Sequence, residues 1–254
     1  MDLTDFRVDF ALSFMPAKHL ITLDSFSDYG FALTHLALLH PAYAAWYRRR
    51  GKVLLDNSVV EQNGLPASME QILVAANLVN PDLIVPPDWI ADPVATMVAY
   101  EDFLEKVPRP EQVVRVLVGD ARYMTLGFYA SPRAKVFALP YKCPRVAFLK
   151  EMVRRKASLS THHWHLFGYT DLEELLSCVE LLAWCGVRGL SFDTAKPLTY
   201  AYSGIEFGPR TVSGEAHRPG YSEVLPDAVL RTTLRNISYL RRMIREGLGE
   251  QLGS

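Results

Sequence analysis

Aspartates stand at the ends of several short apolar segments, where a buried β-strand would finish. Asp56 ends K-V-L-L-D, Asp88 closely follows L-I-V-P, Asp120 closely follows V-R-V-L-V, and Asp193 ends G-L-S-F-D. Removing a carboxylate from water costs several kcal/mol unless something compensates it. Each of these residues is therefore expected either to cap a helix or turn, or to face a site.

The residues that follow each aspartate indicate whether it caps a helix or faces a site. Asp120 precedes A-R-Y-M, and Asp92 precedes a proline, which are contexts typical of a helix N-cap. Asp56 precedes N-S and Asp193 precedes T-A-K-P, and neither stretch is expected to begin a helix, so both are predicted to belong to a site. Asp88 stands between two prolines and a tryptophan, and for it both roles remain open.

Carboxylates that converge from distant parts of a chain suit glycosyl transfer, in which one attacks an anomeric carbon and another moves protons. A metal site would favour histidines at several strand ends, whereas His162, His163 and His165 form one local cluster. His163 and His165 alternate onto one face of the predicted strand. Either could serve as a metal ligand or a base, or simply occupy the core or the surface, and these roles remain open. The chain has no C-x-x-C pair, so no structural zinc is predicted. Glycosyl transfer by two carboxylates needs no cofactor, and none is predicted.

Strand-like segments alternate with helix-like segments along most of the chain. Apolar runs predict strands at 10–14, 52–56, 83–86, 114–118, 135–139, 163–167 and 189–193. Helical patterns are expected at 67–79, 93–106, 144–157, 171–184 and about 225–248. The order of these segments predicts parallel βα units.

With an eighth strand in 17–40 or 200–206, these units fit a (β/α)8 TIM-like barrel, predicted as one compact domain over residues 1–254. In such a barrel all strands end at one face, so the aspartates would meet there. A doubly wound open sheet is the alternative. It is disfavoured because no glycine-rich phosphate-binding turn follows any strand.

Overall composition excludes some classes of protein. The 254 residues carry a formal net charge of −1, which is not typical of a protein held on nucleic acid by bulk charge. The mean hydropathy is +0.04 and no apolar run is long enough to cross a membrane, so no membrane partner is expected. The acidic N-terminus is unlike a secretory signal, and three cysteines make no disulfide framework, so a cytoplasmic location is predicted.

Five segments together resemble the tRNA-guanine transglycosylase (queuine tRNA-ribosyltransferase-like) superfamily, and most closely its phage DpdA-like DNA-guanine transglycosylases. The resemblance covers roughly residues 50–200, in family order, through L-L-D-N-S-V-V-E-Q-N-G (54–64), I-V-P-P-D-W-I-A-D (84–92), F-A-L-P-Y-K (137–142), H-L-F-G-Y (165–169) and G-L-S-F-D-T-A-K-P-L-T-Y (189–200).

The resemblance implies a role for each of three aspartates. Asp193 would be the nucleophile on C1′ of a deoxyguanosine, Asp56 the general acid and base, and Asp88 the acceptor for the Watson–Crick edge of guanine. A 7-deazaguanine would then replace guanine in DNA through a covalent aspartyl-sugar intermediate. The implied partners are guanine-containing DNA and a free 7-deazaguanine base, in the cytoplasm of a bacterial host if the chain is phage-encoded. A helper ATPase that opens the duplex is a further candidate partner.

Further contacts are implied around the base and the nucleic acid. The matching segments assign base contacts to Asn57, Ser58, Trp89 and Leu139, and Gly119 is a further candidate at the place of a base-contacting residue of the family. Since the family's terminal arginine of the nucleophile segment is replaced here, phosphate contacts would come from other residues. The candidates for that contact are Arg210 and Arg218, within a loop at 200–224 that precedes a C-terminal helix at 225–250. Lys196 and Tyr200 are also predicted to contact nucleic acid, Tyr200 as a ring that stacks on an extruded base.

Two departures from the family bear on the substrate. The zinc-binding cysteines that follow the nucleophile in the tRNA enzymes are absent here, which favours the compact DNA-modifying branch without a zinc subdomain. The family's base-contacting glutamine is replaced around Val118-Gly119. A tRNA-modifying enzyme, a non-catalytic nucleic-acid-binding member and an unrelated barrel N-glycosidase remain the alternative hypotheses.

Overall fold

The computed structural model describes residues 6–169, 171–208 and 216–250, with side chains up to residue 248. Its strands are β1 Arg7–Leu12, β2 Gly30–Leu33, β3 Val53–Asp56, β4 Leu83–Ile84, β5 Val114–Val116, β6 Val136–Pro140, β7 His163–Phe167 and β8 Gly189–Thr194. Its α-helices are α1 Leu20–Asp24, α2 Thr34–Leu39, α3 Pro41–Arg49, α4 Met69–Val79, α5 Pro93–Lys106, α6 Ala121–Ala130, α7 Arg145–Arg154, α8 Leu172–Trp184, α9 Lys196–Tyr202 and α10 Asp227–Glu250.

The strands form two parallel sheets, so the predicted α/β class with parallel strands is confirmed. One sheet has the order β1-β8-β7-β6-β5, and the other has the order β2-β3-β4. An isolated parallel bridge between Ile84 and Val113 links the end of β4 to the residue before β5. Between β1 and β2, two hydrogen bonds join Phe10 of β1 to Asp28, two residues before β2. The backbone N–H of Asp28 donates to the carbonyl of Phe10 at 2.7 Å, and the N–H of Phe10 donates to Oδ2 of Asp28 at 2.8 Å.

Strands β2, β3 and β6 are buried at every residue, as expected where helices cover both faces of a parallel sheet. This burial explains why the strands read as continuous apolar runs rather than as alternating ones. Because the strands of each sheet are parallel, their last residues lie at one edge of that sheet. Asp56 ends β3 in the three-stranded sheet, and Asp193 lies at the end of β8 in the five-stranded sheet.

Two aspartates that were expected to cap helices do so. Asp92 accepts a hydrogen bond from the backbone N–H of Ala95 at 2.9 Å, at the start of α5. Asp120 accepts one from the backbone N–H of Tyr123 at 2.9 Å, at the start of α6. Helix α8 is capped by Asp171, and the preceding Thr170 of the predicted capping pattern lies outside the described residues.

The eighth strand, β2, falls within the first of its two predicted intervals, whereas 200–206 begins with the end of α9. The expectation that T-A-K-P cannot begin a helix was wrong. Helix α9 begins at Lys196, directly after Ala195, and Pro197 lies in its first turn. A proline is tolerated there because an N–H at that position has no partner within the helix.

In the part of the chain that the structure describes, no helix is both long enough and apolar enough to cross a membrane.

Candidate active site

A cavity of about 300 Å³ opens at the carboxyl ends of the strands. Its charged lining consists of Asp56, Glu61, Asp88, Asp193, Lys196 and Arg218. Aromatic and aliphatic side chains complete the walls: Phe31, Ile90, Tyr141, Phe167 and Tyr169. A small concave pocket with apolar walls and a few convergent polar groups is the usual form of a small-molecule site.

Asp193 projects into this cavity from β8 and is 6% exposed. Its Oδ1 accepts a hydrogen bond from the backbone N–H of Gly168 at 3.3 Å and lies 3.2 Å from Nε2 of His165. Gly168 has a φ of +62°, a left-handed conformation that glycine adopts at little cost. The turn after β7 can therefore aim an N–H at the carboxylate of the neighbouring strand.

Asp56 ends β3 and is 8% exposed. Its Oδ2 accepts the backbone N–H of Ser58 at 2.7 Å. Burial raises the pKa of Asp56 well above its ordinary value, and the nearby carboxylates of Glu61, Asp193 and Asp88 raise it further. These effects favour the protonated form of Asp56, so this side chain can act as a proton donor inside the cavity.

Asp88 lies beyond β4 and is 3% exposed. Burial raises its pKa to about 6, although a hydrogen bond from Asn57 acts in the opposite direction. Asn57 Nδ2 donates to Oδ1 of Asp88 at 2.6 Å and to the carbonyl of Pro86 at 2.7 Å. One fully buried amide therefore fixes the position of Asp88 relative to the turn after β3.

Glu61 is a fourth carboxylate in the cavity, and sequence reasoning did not identify it. It forms an ion pair of 2.5 Å with Arg218, and the two side chains are 11% and 34% exposed. Arg218 also lies over the ring of Phe14, 5.4 Å from its centroid. The pair connects the loop after β3 with the segment before α10, a pairing between residues 157 positions apart that no local sequence pattern indicates.

Lys196 lines the cavity at the start of α9. Its Nζ lies 4.5 Å from the ring centroid of Tyr169, and burial lowers its pKa. Lys196 and Arg218 are the two cationic side chains that line this cavity, so both are available to contact an anionic ligand.

Several residues that the resemblance assigned to the base lie behind the cavity rather than in its wall. Asn57 and Ser58 are fully buried and act through Asp88 and Asp56. The side chain of Leu139 is fully buried, and its neighbour Pro140 lines the cavity instead. Neither Trp89 nor Gly119 is among the described lining residues.

Local contacts explain why these last two residues lie away from the cavity wall. The backbone N–H of Trp89 is held by Thr96 at 2.8 Å, while the following residue, Ile90, lines the cavity. Gly119 has a φ of +92° and leaves room for Pro93 and Tyr123, so it forms a turn before α6.

Of the four residues predicted to contact nucleic acid, Tyr200 is buried. Tyr200 is 8% exposed, and its ring packs against Phe207 at a centroid distance of 5.4 Å. Tyr200 lies on α9 itself, which packs against α10, and it is therefore not a surface contact. Arg210 lies outside the described residues.

Within the residues that the structure describes, no group of three or more histidine, cysteine, aspartate or glutamate side chains is arranged to hold a metal ion. His163 and His165 do share one face of β7, as their alternation predicted, since both bond to Ser191 on β8.

No protein-family model matches the sequence, and no curated protein is significantly similar to it.

Proposed function

We propose that the chain is a DNA-guanine transglycosylase, a pentosyltransferase that exchanges guanine in DNA for a 7-deazaguanine base. The observation that carries this proposal is the pairing of two unlike carboxylates in one cavity. Asp193 accepts at one oxygen from the N–H of Gly168 and faces the imidazole of His165, whereas burial and three nearby carboxylates raise the pKa of Asp56, in the same cavity, well above the ordinary value. Environments that separate two carboxyl groups in this way mark an acid and a nucleophile.

In the proposed reaction, a carboxylate oxygen of Asp193 attacks C1′ of the deoxyguanosine and the C1′–N9 bond breaks. Asp56 gives its proton to the departing guanine and becomes a carboxylate. The incoming base then loses its N9 proton to Asp56, and N9 attacks C1′ while the bond to Asp193 breaks. Two displacements at C1′ retain its configuration and return both aspartates to their initial states.

Asp88 is proposed to select the base. The Watson–Crick edge of guanine presents N1–H and N2–H donors, and an ionised carboxylate can only accept. Adenine offers an unprotonated N1 at the same place, which would leave the carboxylate facing a lone pair. Asn57 holds Asp88 from behind, and so would keep the acceptor aimed at the base.

The proposed architecture is a closed (β/α)8 barrel. In support of it, the two sheet orders and the Ile84–Val113 bridge join into one sequential series, β2-β3-β4-β5-β6-β7-β8-β1. The hydrogen bonds between Phe10 and Asp28 bring the two ends of that series together. A closed barrel would direct all strand ends at the cavity.

The cavity, at about 300 Å³, is near the lower limit for small-molecule sites. It would hold a single nucleotide rather than a base still stacked in a duplex. We therefore propose that the target guanine is flipped out or presented on a single strand, at a cost of a few kcal/mol for a duplex.

The test is incorporation of radiolabelled guanine into guanine-containing DNA, single- and double-stranded, by the wild type and two variants. Asp193→Asn removes the nucleophile and is expected to lower incorporation by about 10³-fold or more. Asp120→Asn is the matched control, because it changes another aspartate near a strand end whose role is to cap α6. This control is expected to retain wild-type activity, since asparagine is also a good N-cap.

Incorporation that depends on Asp193 but not on Asp120 would support base exchange. Label that enters tRNA instead of DNA would retain the chemistry and overturn the substrate. Folded wild-type protein that incorporates no label into either nucleic acid would contradict the proposed function.

A further inference from the structure

A line of polar side chains runs along β7 and β8, from the buried nucleophile to the exposed His163 at the start of β7. His165 Nε2 lies 3.2 Å from Oδ1 of Asp193, and His165 Nδ1 lies 2.8 Å from Oγ of Ser191. The same Oγ lies 2.8 Å from Nε2 of His163. His165 and Ser191 are partners in the parallel register, so the line follows the geometry of the sheet.

The donors and acceptors in this line can be arranged in one order. A carboxylate only accepts, so the Nε2 of His165 must carry a proton that it donates to Asp193. In the neutral imidazole Nδ1 is then an acceptor, and the hydroxyl of Ser191 donates to it. The remaining lone pairs of that hydroxyl accept the Nε2–H of His163. Asp193 thereby selects the tautomer of His165, and Ser191 supports it by donating to Nδ1.

The ring of His165 is also held by its neighbours. It is fully buried, with Phe167 at a centroid distance of 4.5 Å, Tyr29 at 6.1 Å and Phe31 at 6.3 Å. These aromatic contacts resist rotation of the imidazole, because a close-packed interior offers no space for another ring orientation. The nitrogen that faces Asp193 is therefore fixed by packing as well as by hydrogen bonding.

Both hydrogen bonds described for Asp193 go to one oxygen. Gly168 N–H and His165 Nε2 converge on Oδ1, and no described residue donates to Oδ2. A carboxylate held by one oxygen keeps the other available for attack. Positioning of this kind matters because a misplacement of about 1 Å at a reacting atom can cost about 10²-fold in rate.

We propose that His165 is a positioning residue for the nucleophile, with Ser191 holding its Nδ1 and His163 supporting Ser191. The proposal rests on the proposed function, since it gives His165 a role in base exchange. His165 orients the Asp193 carboxylate so that Oδ2 faces C1′ of the substrate.

The kinetic test compares three substitutions on this line. His165→Leu removes the donor and is expected to lower kcat for base exchange by about 10²-fold while leaving KM for the free base unchanged, because Asp88 and not His165 would bind the base. His165→Gln restores an N–H donor near the position of Nε2 and is expected to recover much of that loss. His163→Leu, which removes a histidine from the same face without touching Asp193, is expected to change kcat by only a few-fold.

A spectroscopic test does not depend on turnover. Imidazole ¹⁵N–¹H correlation spectra of the wild type are expected to show a proton on Nε2 of His165 and an unprotonated Nδ1. Ser191→Ala is expected to shift the ¹⁵N resonance of Nδ1, since Nδ1 loses its hydrogen-bond donor, while the proton stays on the Nε2 that faces Asp193. The same spectra report whether each variant retains the folded structure.

Three outcomes would overturn the inference: wild-type kcat in His165→Leu, equal losses in His165→Leu and His165→Gln with the fold intact, or an Nδ1–H tautomer in the wild type. If the wild type exchanges no base, the proposed function fails. The spectra then still decide whether His165 holds Asp193, so the two failures are distinguishable.

Discussion

At the scale of single residues, the protonation states of the cavity carboxyl groups are set by what surrounds them. Asp56 and Asp88 are both buried, but only Asp88 accepts a side-chain amide, and its pKa of about 6 is the more moderate of the two. An acid and an acceptor can therefore coexist in one cavity at neutral pH. This separation is what base exchange would need.

Burial of Asp88 has a consequence for stability. Because its pKa rises from 3.8 to about 6 on folding, the folded state binds the proton more tightly than the unfolded chain does. Stability therefore falls as the pH rises through this interval, by about 3 kcal/mol in all, and stays lower above it. Asp88→Asn removes this dependence and is expected to stabilise the protein at pH 8 by up to about 3 kcal/mol, with little change at pH 4.

Chemical denaturation of the wild type and Asp88→Asn across this pH range measures the effect. Asp92→Asn, at the exposed N-cap of α5, serves as the control. In this variant the free energy of unfolding is expected to fall with pH as in the wild type, because Asp88 is retained. Parallel stability curves for wild type and Asp88→Asn would contradict the prediction.

At the scale of elements, one buried arginine joins the helices to the turns that border the cavity. Arg145, in the first turn of α7, is fully buried and binds Glu174 of α8 through two hydrogen bonds of 2.5 and 2.7 Å. Its Nη1 also donates to the carbonyl oxygens of Gly168 and Leu139, at 2.8 and 3.3 Å. Gly168 is the residue whose N–H reaches Asp193, so this ion pair supports the site indirectly.

Glu174→Gln is expected to destabilise the protein by about 3 kcal/mol, because it leaves a buried guanidinium without its carboxylate. Thermal or chemical unfolding measures the loss. The matched control is Glu151→Gln, which removes a carboxylate from an exposed ion pair with Arg154 and Arg155. The control is expected to leave stability unchanged within error, and equal losses in the two variants would refute the role of the buried pair.

At the scale of the whole molecule, the net charge of −1 makes any attraction to nucleic acid local. Arg218 and Lys196 are the cations that line the described cavity, and Arg218 is held there by Glu61. A phosphate group would compete with Glu61 for Arg218, since both are anionic acceptors. We therefore expect affinity for DNA to be modest and to fall with salt.

Arg218→Gln is expected to reduce the slope of log affinity against log salt by about 0.7 for single-stranded DNA, the contribution of one phosphate contact. Fluorescence anisotropy at a series of salt concentrations measures the slope. Arg154→Gln, an exposed arginine at the end of α7, is the control and should leave it unchanged. An unaltered slope in Arg218→Gln would remove this residue from the proposed nucleic-acid contacts.

Local patterns in the sequence were sufficient for the order of the elements. Helix α5 and strand β7 have the predicted bounds, because a proline after an N-cap aspartate and a clear alternation of residues are both local signals. The start of α9 was not predicted, because it is not set by a local signal. Whether T-A-K-P begins a helix depends on how the chain leaves β8, which the local residues do not specify.

The sequence by itself determined that aspartates end parallel strands, since strand period, caps and helix spacing are read within a few residues. Only the tertiary structure decided which groups meet there. Glu61 contacts Arg218 and His165 contacts Asp193 across 157 and 28 positions of the chain. The raised pKa values of Asp56 and Asp88 likewise arise from burial among residues brought together by folding, because desolvation depends on three-dimensional surroundings rather than on neighbours in the sequence.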